Sequence, residues 1–362
     1  MTVSLSTLND TKVTMDDYIV HHIPKRPKPG QPRRYRILHE PREELKSIQA
    51  YIAQTLMACG LGASPYSYAY CKGVGLRDMA QKHVGATYAL KMDMKDFFPS
   101  IKRELLRKAF TYSARERIGR ESPVSIEHML KFGFLPSEGG LPQGSPMSPI
   151  LSNIAMFNTD MRIARYLEAV VGNPMNRSVR RGSRYQVNNN FNRAPITYTR
   201  YADDLTFSST EDHVLSIAGN ISRLVELDGG TLPRFYHSYS GLTIAPEKTV
   251  KVRKGNRIEV CGVVVNEKPN ATKTYRNQVR NDVHRAVRDV IAGRCEPGFQ
   301  LNNGEPEPID VASLYGRISH IQYLNPDLPF KSLGSILLEV HGKDRDKWSY
   351  ETRNYLQPKN TQ

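Results

Sequence analysis

Cysteine is scarce in this 362-residue chain, and the four present, Cys59, Cys71, Cys261 and Cys295, stand apart with no paired spacing. Such scatter argues against a zinc site and against a secreted disulfide framework. Long apolar runs are missing as well. No stretch approaches the roughly 20 apolar residues of a membrane span, and the N-terminus lacks the apolar core of a signal peptide. A membrane partner is therefore not expected, and the cytoplasm is the expected location. Carboxylates are outnumbered: 36 Asp and Glu face 51 Lys and Arg, a formal charge of +15. A surface that basic favours polyanions, because each neutralised phosphate releases condensed counterions. A basic soluble enzyme with no nucleic-acid partner would share the composition. No internal repeat is present. What the chain does have is core material, 39% hydrophobic residues, enough for two or three compact units.

Residues 1–20 read as a short leader or helix. His21 to Arg36 (HHIPKRPKPGQPRRYR) is rich in proline and basic residues, which predicts an extended arm, either a solvated linker or a nucleic-acid contact. Leu45, Ile48, Ile52 and Leu56 predict an amphipathic helix over Pro41 to Met57 with that stripe in the core. Tyr88 to Asp93 has the alternation of a strand and runs into a short helix. Ser145 to Leu167 reads as a long helix opened by Gly-Ser-Pro, buried along Ile150, Ile154, Met161 and Ala164. Over 172–195, five arginines, an Asn-rich run and no acidic residue predict a flexible basic loop, either a disordered insertion or a nucleic-acid-binding flap.

Ile196 to Tyr201 restores β-branched and aromatic residues just before two aspartates, and Ile258 to Val265 is a further strand pattern. A helix follows from about Thr274 to Ile291. Val279, Val283, Val287 and Ile291 form its apolar stripe. Arg276, Arg280, His284 and Arg288 form a second stripe on another face, either solvated or tracking phosphates.

Chemistry enters with Asp93, at the end of a strand in KMDMKDFFPSI, and with Tyr201-Ala202-Asp203-Asp204, where a hairpin turn between two strands falls. Adjacent carboxylates in a tight turn can reach one metal cluster, and a third on a neighbouring strand completes a cage for two Mg²⁺ ions. Two hard cations roughly 3.5–4 Å apart activate an attacking 3′-hydroxyl and steady a leaving pyrophosphate. An isolated Asp-Asp pair is most often a turn or a cap. Its β-rich flanks, the Asp-x-x-x-Phe-Phe segment and Leu141-Pro142-Gln143-Gly144, in this order, make the pattern specific.

These residues resemble the reverse transcriptases. LKMDMKDFFPSI is similar to their motif A, LPQGSPMSPILSNI to motif B, TRYADDLTFSS to motif C and GLTIAPEKT to motif D. VCGVVVN resembles the palm–thumb boundary, RRYRILHEPREELKSIQAYI the bacterial fingers motif, and SLYGRISHIQYLNP a short thumb, so the resemblance runs from about residue 30 to about 330. It implies an α+β right-hand polymerase: a basic arm over 1–36, fingers over 37–92, palm over 93–265, short helical thumb over 266–335 and a tail over 336–362. Asp93, Asp203, Asp204 and the Met94 carbonyl would hold the metals. Lys248 would protonate the leaving pyrophosphate. Phe98 would be the aromatic gate against a ribose 2′-hydroxyl, Gln143 would lie under the incoming deoxynucleotide (dNTP), and Arg34 and Arg36 would grip its triphosphate. Tyr201, His83, Arg276, Arg280 and Arg288 are the expected nucleic-acid contacts.

Among bacterial types the chain is most similar to retron reverse transcriptases, which copy a structured non-coding RNA from an internal 2′-hydroxyl and leave a branched RNA–DNA product. Met79-Ala80-Gln81-Lys82-His83 resembles their Asn-Ala-x-x-His signature, and Val260-Cys261-Gly262 stands where they carry Val-Thr-Gly. Met79 and Cys261 each depart from the pattern by one residue. The resemblance implies a cognate non-coding RNA, its DNA product and dNTPs as partners, in a bacterial cytoplasm. It also implies a separately encoded effector in anti-phage defence, and leaves oligomeric assembly open. The alternatives are a defence-associated or domesticated reverse transcriptase without branched priming, and a polymerase-inactive RNA-binding scaffold.

Overall fold

The computed structural model describes residues 5–25, 27, 32–60, 63–113, 124–137, 139–172, 193–228, 238–239, 241–302 and 305–342. Most of the basic loop expected over 172–195, and the tail beyond residue 342, lie outside them. The chain divides into two compact units, one of residues 1–79 and 86–256, the other of 80–85 and 257–362.

In the first unit, β1 (Tyr18–Pro24) and β2 (Tyr35–Pro41) pair antiparallel, Tyr18 opposite Pro41 and Pro24 opposite Tyr35. The segment expected to be an extended arm thus takes the form of a hairpin. Its β-branched and aromatic residues lie in the strands. Helix α1 (Glu43–Ala58) carries Glu43 and Glu44 in its first turn, favourable at the positive end of the helix dipole, and buries Leu45, Ile48, Ile52 and Leu56. Strand β3 (Tyr88–Asp93) buries Ala89, Leu90 and Met92.

Helix α2 (Ser148–Val171) starts three residues later than the sequence suggests. Ser145 Oγ accepts from the Met147 N–H in a local turn, and Pro149 is tolerated because it sits in the first helical turn. Its buried side holds Ile150, Ile154 and Ala164 as expected, but Ile163 and Leu167 stand in the core while Met161 is half-buried. The remaining strands are β4 (Thr197–Tyr201), β5 (Asp204–Ser209) and β6 (Val250–Val252). The four long-range strands form one antiparallel sheet in the order β4-β5-β3-β6. Leu90, Met92, Leu205 and Phe207 occupy its core face and join α1 and α2 in one hydrophobic cluster.

The second unit opens with β7 (Glu259–Val260) and β8 (Val263–Val264), completed by β9 (Asn270–Ala271). The sequence suggests one strand over Ile258–Val265, but Cys261 (φ +45) and Gly262 (φ +83) both adopt left-handed backbone and fold it into a tight hairpin. Helix α3 (Lys273–Ile291) is capped by Thr272, whose hydroxyl accepts from the Tyr275 N–H. It buries Val279, Val283 and Val287, with Ile291 half-buried. A hairpin of β10 (Phe299–Asn302) and β11 (Glu305–Pro308) leads into α4 (Val311–Leu324) and α5 (Phe330–Gly342). His341 ties α5 to α3 and to the turn before β10: its Nδ1 accepts from the Gly298 N–H, and its Nε2 meets the Ala286 carbonyl at 3.0 Å.

Candidate active site

Two aspartates become neighbours through strand register alone. In the β3–β5 ladder Asp93 is the direct partner of Asp204, and in the β4–β5 hairpin Tyr201 is the partner of Asp204. Ala202 and Asp203 form the two-residue turn, with Ala202 in left-handed backbone at φ +55. Asp93 is buried, Asp203 half-buried and Asp204 exposed. Burial raises the Asp203 pKa above the usual carboxylate range, and the Asp93 charge adds to it; Lys248 and Arg36 pull the other way.

Lys248 donates to both oxygens of Asp93, at 2.5 and 3.0 Å. That bond holds the ammonium above its ordinary pKa. The donor set is all oxygen, as Mg²⁺ demands, and the ammonium shows that Asp93 accepts a cation. Among the described residues, however, no three His, Cys, Asp or Glu side chains stand close enough to enclose an ion. Asp93 turns to Lys248 instead. Met94 lies at the non-hydrogen-bonded position of an antiparallel bridge to Ile244, so its carbonyl points to the side where its N–H meets the Asp203 carbonyl, at 3.1 Å.

Phe98 sits half-buried on the short helix Phe97–Ser100, its ring packed on Phe97 at 5.4 Å and facing Tyr70 at 6.3 Å. The loop carrying Gln143 is pinned on both sides: the Leu141 N–H donates to the Phe98 carbonyl, and the His39 N–H to the Gln143 carbonyl at 2.7 Å. Close approach explains two glycines here. A Cβ on Gly140 would meet Pro99 Cα at 2.8 Å, and Gly144 adopts φ +110 against the His39 backbone. Arg36, exposed on β2, stands near enough to act on the Asp203 charge. Arg34 is exposed on the strand's approach, and its carbonyl accepts from the Lys25 N–H.

Beneath the turn lies a buried network that the sequence reading did not find. Arg200 and Asp160 are fully buried and paired, Nε to Oδ1 at 2.9 Å and Nη2 to Oδ2 at 2.9 Å. Burial alone would depress the guanidinium, but Asp160 raises it on balance. Arg200 Nη1 also donates to Asn153 Oδ1 and to the Ala202 carbonyl, at 3.1 and 3.2 Å, which props the left-handed residue of the turn. Tyr198 and Ser64 donate to Asp160, at 2.7 and 2.6 Å. The visible signal was an arginine one position from Tyr201 on the core-facing side of β4, with an aspartate in the buried stripe of α2.

The other expected nucleic-acid residues lie in the second unit, apart from Tyr201, which is half-buried in the hairpin. His83 is buried, and burial drives its pKa down to about 4. Arg280 is exposed with its guanidinium 4.8 Å from the Phe330 ring centre. Arg288 pairs with the buried Asp289, whose carboxyl it and Arg294 hold at about 2. Arg276 is half-buried.

A family model described as reverse transcriptase (RNA-dependent DNA polymerase) matches residues 23–265. The chain is 28% identical over 324 residues to the retron Mx65 reverse transcriptase of Myxococcus xanthus, covering 86% of this chain and 62% of that enzyme. It therefore spans less than two thirds of that relative. To the retron Ec83 reverse transcriptase of Escherichia coli it is 27% identical over 315 residues, covering 85% and 83%. To the retron Ec86 enzyme of the same organism it is 27% identical over 257 residues, covering 68% and 69%. Among solved structures it is similar to a telomerase from Candida tropicalis bound to a telomeric RNA fragment, with 11% identity, 92% and 56% coverage and a TM-score of 0.47. With the family match spanning both aspartate-bearing strands, the chain belongs to the reverse transcriptase (RNA-dependent DNA polymerase) family, where its relatives are of the retron type.

Proposed function

We propose that this chain is an RNA-directed DNA polymerase of a retron, copying part of a cognate structured non-coding RNA from an internal 2′-hydroxyl into single-stranded DNA. The observation that carries the reading is the register pairing of Asp93 with Asp204, beside a turn that presents Asp203. Asp93, Asp203, Asp204 and the Met94 carbonyl would hold two Mg²⁺ ions, which when bound activate the attacking hydroxyl and offset charge on the leaving group. Lys248 holds a proton at Nζ within reach of Asp93, and in the loaded site would give it to pyrophosphate. Arg36 and Arg34 receive the triphosphate of the dNTP through their guanidinium forks. Gln143 supports the nucleotide from the loop pinned to Phe98 and His39, and the Phe98 ring excludes a ribose 2′-hydroxyl.

Tyr201, Arg276, Arg280 and Arg288 are assigned to the RNA and its DNA product; His83, expected among them, is buried and is given no contact with either. The retron reading adds a separately encoded effector and a role in anti-phage defence in the bacterial cytoplasm. Among the described residues no helix is long and apolar enough to cross a membrane. The test is to purify the protein from its native locus and resolve its bound nucleic acid on a denaturing gel. RNase, DNase and debranching enzyme are applied in turn, beside an Asp203→Asn/Asp204→Asn control. DNA joined to RNA through a 2′–5′ linkage, absent from the control, is expected. Unbranched DNA would move the enzyme to another class of reverse transcriptase, and bound RNA without DNA in either sample would sink the polymerase reading.

A further inference from the structure

Tyr70 is a large aromatic side chain left 47% exposed, and its backbone is left-handed, at φ +60. L side chains rarely adopt that conformation, and it persists where the surroundings over-determine it, commonly at ligand sites. Here the surroundings do so on both sides. Asn153 Nδ2 donates to the Ala69 carbonyl at 2.9 Å, and the Cys71 thiol, with one proton to give, lies 3.2 Å from the same carbonyl and 3.4 Å from that of Ser67. Two residues earlier, the Tyr68 N–H donates to the Arg200 carbonyl. The buried network that props the catalytic turn therefore also clamps the chain around Tyr70 and leaves its side chain projecting.

The ring projects toward Phe98, centroids 6.3 Å apart and planes 51° from parallel. Burial pushes its phenol up, and the charges of Asp203 and Tyr201 add to that, with Arg200 and Arg36 opposing. Phe98 needs support. Its helix is four residues long, and the ring is packed on one side by Phe97 and the core. A gate that can rotate aside does not discriminate.

We propose that Tyr70 is a specificity-determining residue. It packs behind the Phe98 ring, so that the gate cannot yield to a 2′-hydroxyl. This rests on the reading of Phe98 as the gate. The role needs the ring of Tyr70 and not its hydroxyl.

The experiment measures kcat/KM for a dNTP and for the matching ribonucleotide in the full chain, for Tyr70→Ala, Tyr70→Phe, Phe98→Ala and the Tyr70→Ala/Phe98→Ala pair. Tyr70→Ala should raise relative ribonucleotide use on the order of tenfold while dNTP use is largely retained. Tyr70→Phe should match the parent. The double variant should discriminate no worse than Phe98→Ala, because Tyr70 acts through Phe98. Unchanged discrimination in Tyr70→Ala, with discrimination lost in Phe98→Ala, overturns the role of Tyr70 and leaves the gate standing. Unchanged discrimination in both overturns the gate as well. An equal loss of both substrates in Tyr70→Ala would mark general damage to the site and overturn the proposal.

Discussion

Asp203 carries a proton more readily than a free aspartate because burial and Asp93 both disfavour its charge, while Lys248 and Arg36 offset part of that. Removing Lys248 should therefore raise the Asp203 pKa further. Carboxyl NMR of Lys248→Met without divalent ions should show the Asp203 titration at higher pH than in the parent protein, and an unchanged or lower midpoint would refute the electrostatic account. At this scale the sequence was informative where a motif names the residue: Asp93, Asp203, Asp204 and Phe98 all belong to quoted segments. It was silent on Tyr70, whose interest comes from a backbone angle and a ring 28 positions away in sequence. Arg200 left only a faint signal, an arginine beside Tyr201, which takes on meaning once the register puts it opposite Leu205 on the core face.

Between elements, the Arg200–Asp160 pair joins α2 to β4 and through Asn153 reaches the 64–71 segment. Deleting one partner leaves an uncompensated buried charge, at a cost of roughly 3–5 kcal/mol. Arg200→Met or Asp160→Leu alone should lower urea-unfolding stability by about that much, and the double variant should recover part of it; additive losses would show that the pair is not coupled. Gly140→Ala presses a Cβ into the Pro99 backbone just after Phe98, and overpacking of this kind costs about 1–3 kcal/mol. Thermal melts and dNTP kcat/KM should both fall, and an unaffected variant would show that the loop gives way easily. Periodicity revealed α1, β3 and α3 because each buries one regular stripe. It misread Ile258–Val265, since a two-residue turn inside a β-branched run leaves the alternation intact and only the left-handed angles at Cys261 and Gly262 reveal the reversal.

For the molecule as a whole, charge and protons set the conditions under which it works. If the α3 arginines contact phosphates, each removal should reduce the slope of log affinity against log salt by about one. Arg288 should contribute less than Arg276, because Asp289 already meets its charge. Burial holds His83 neutral, so the unfolded chain binds a proton between pH 6.5 and about 4 that the folded chain refuses. Stability should accordingly fall as pH drops through that window, by about 3 kcal/mol in all, and level off below it. Urea titrations at pH 7 and pH 5 should differ for the parent protein and less for His83→Asn; an equal difference would exonerate His83. The pairing of Asp93 with Asp204 has its own consequence at this scale. Like charges directly opposite each other weaken a sheet by roughly 0.2–1 kcal/mol, a repulsion that the Lys248 ammonium on Asp93 offsets only in part. Any divalent ion that binds the folded pair relieves it and stabilises the fold by mass action. Melting temperature should therefore rise with magnesium before any nucleotide is added. Asp204→Asn should melt higher than its parent in chelator and gain less from the metal: a sheet made sturdier by losing its purpose.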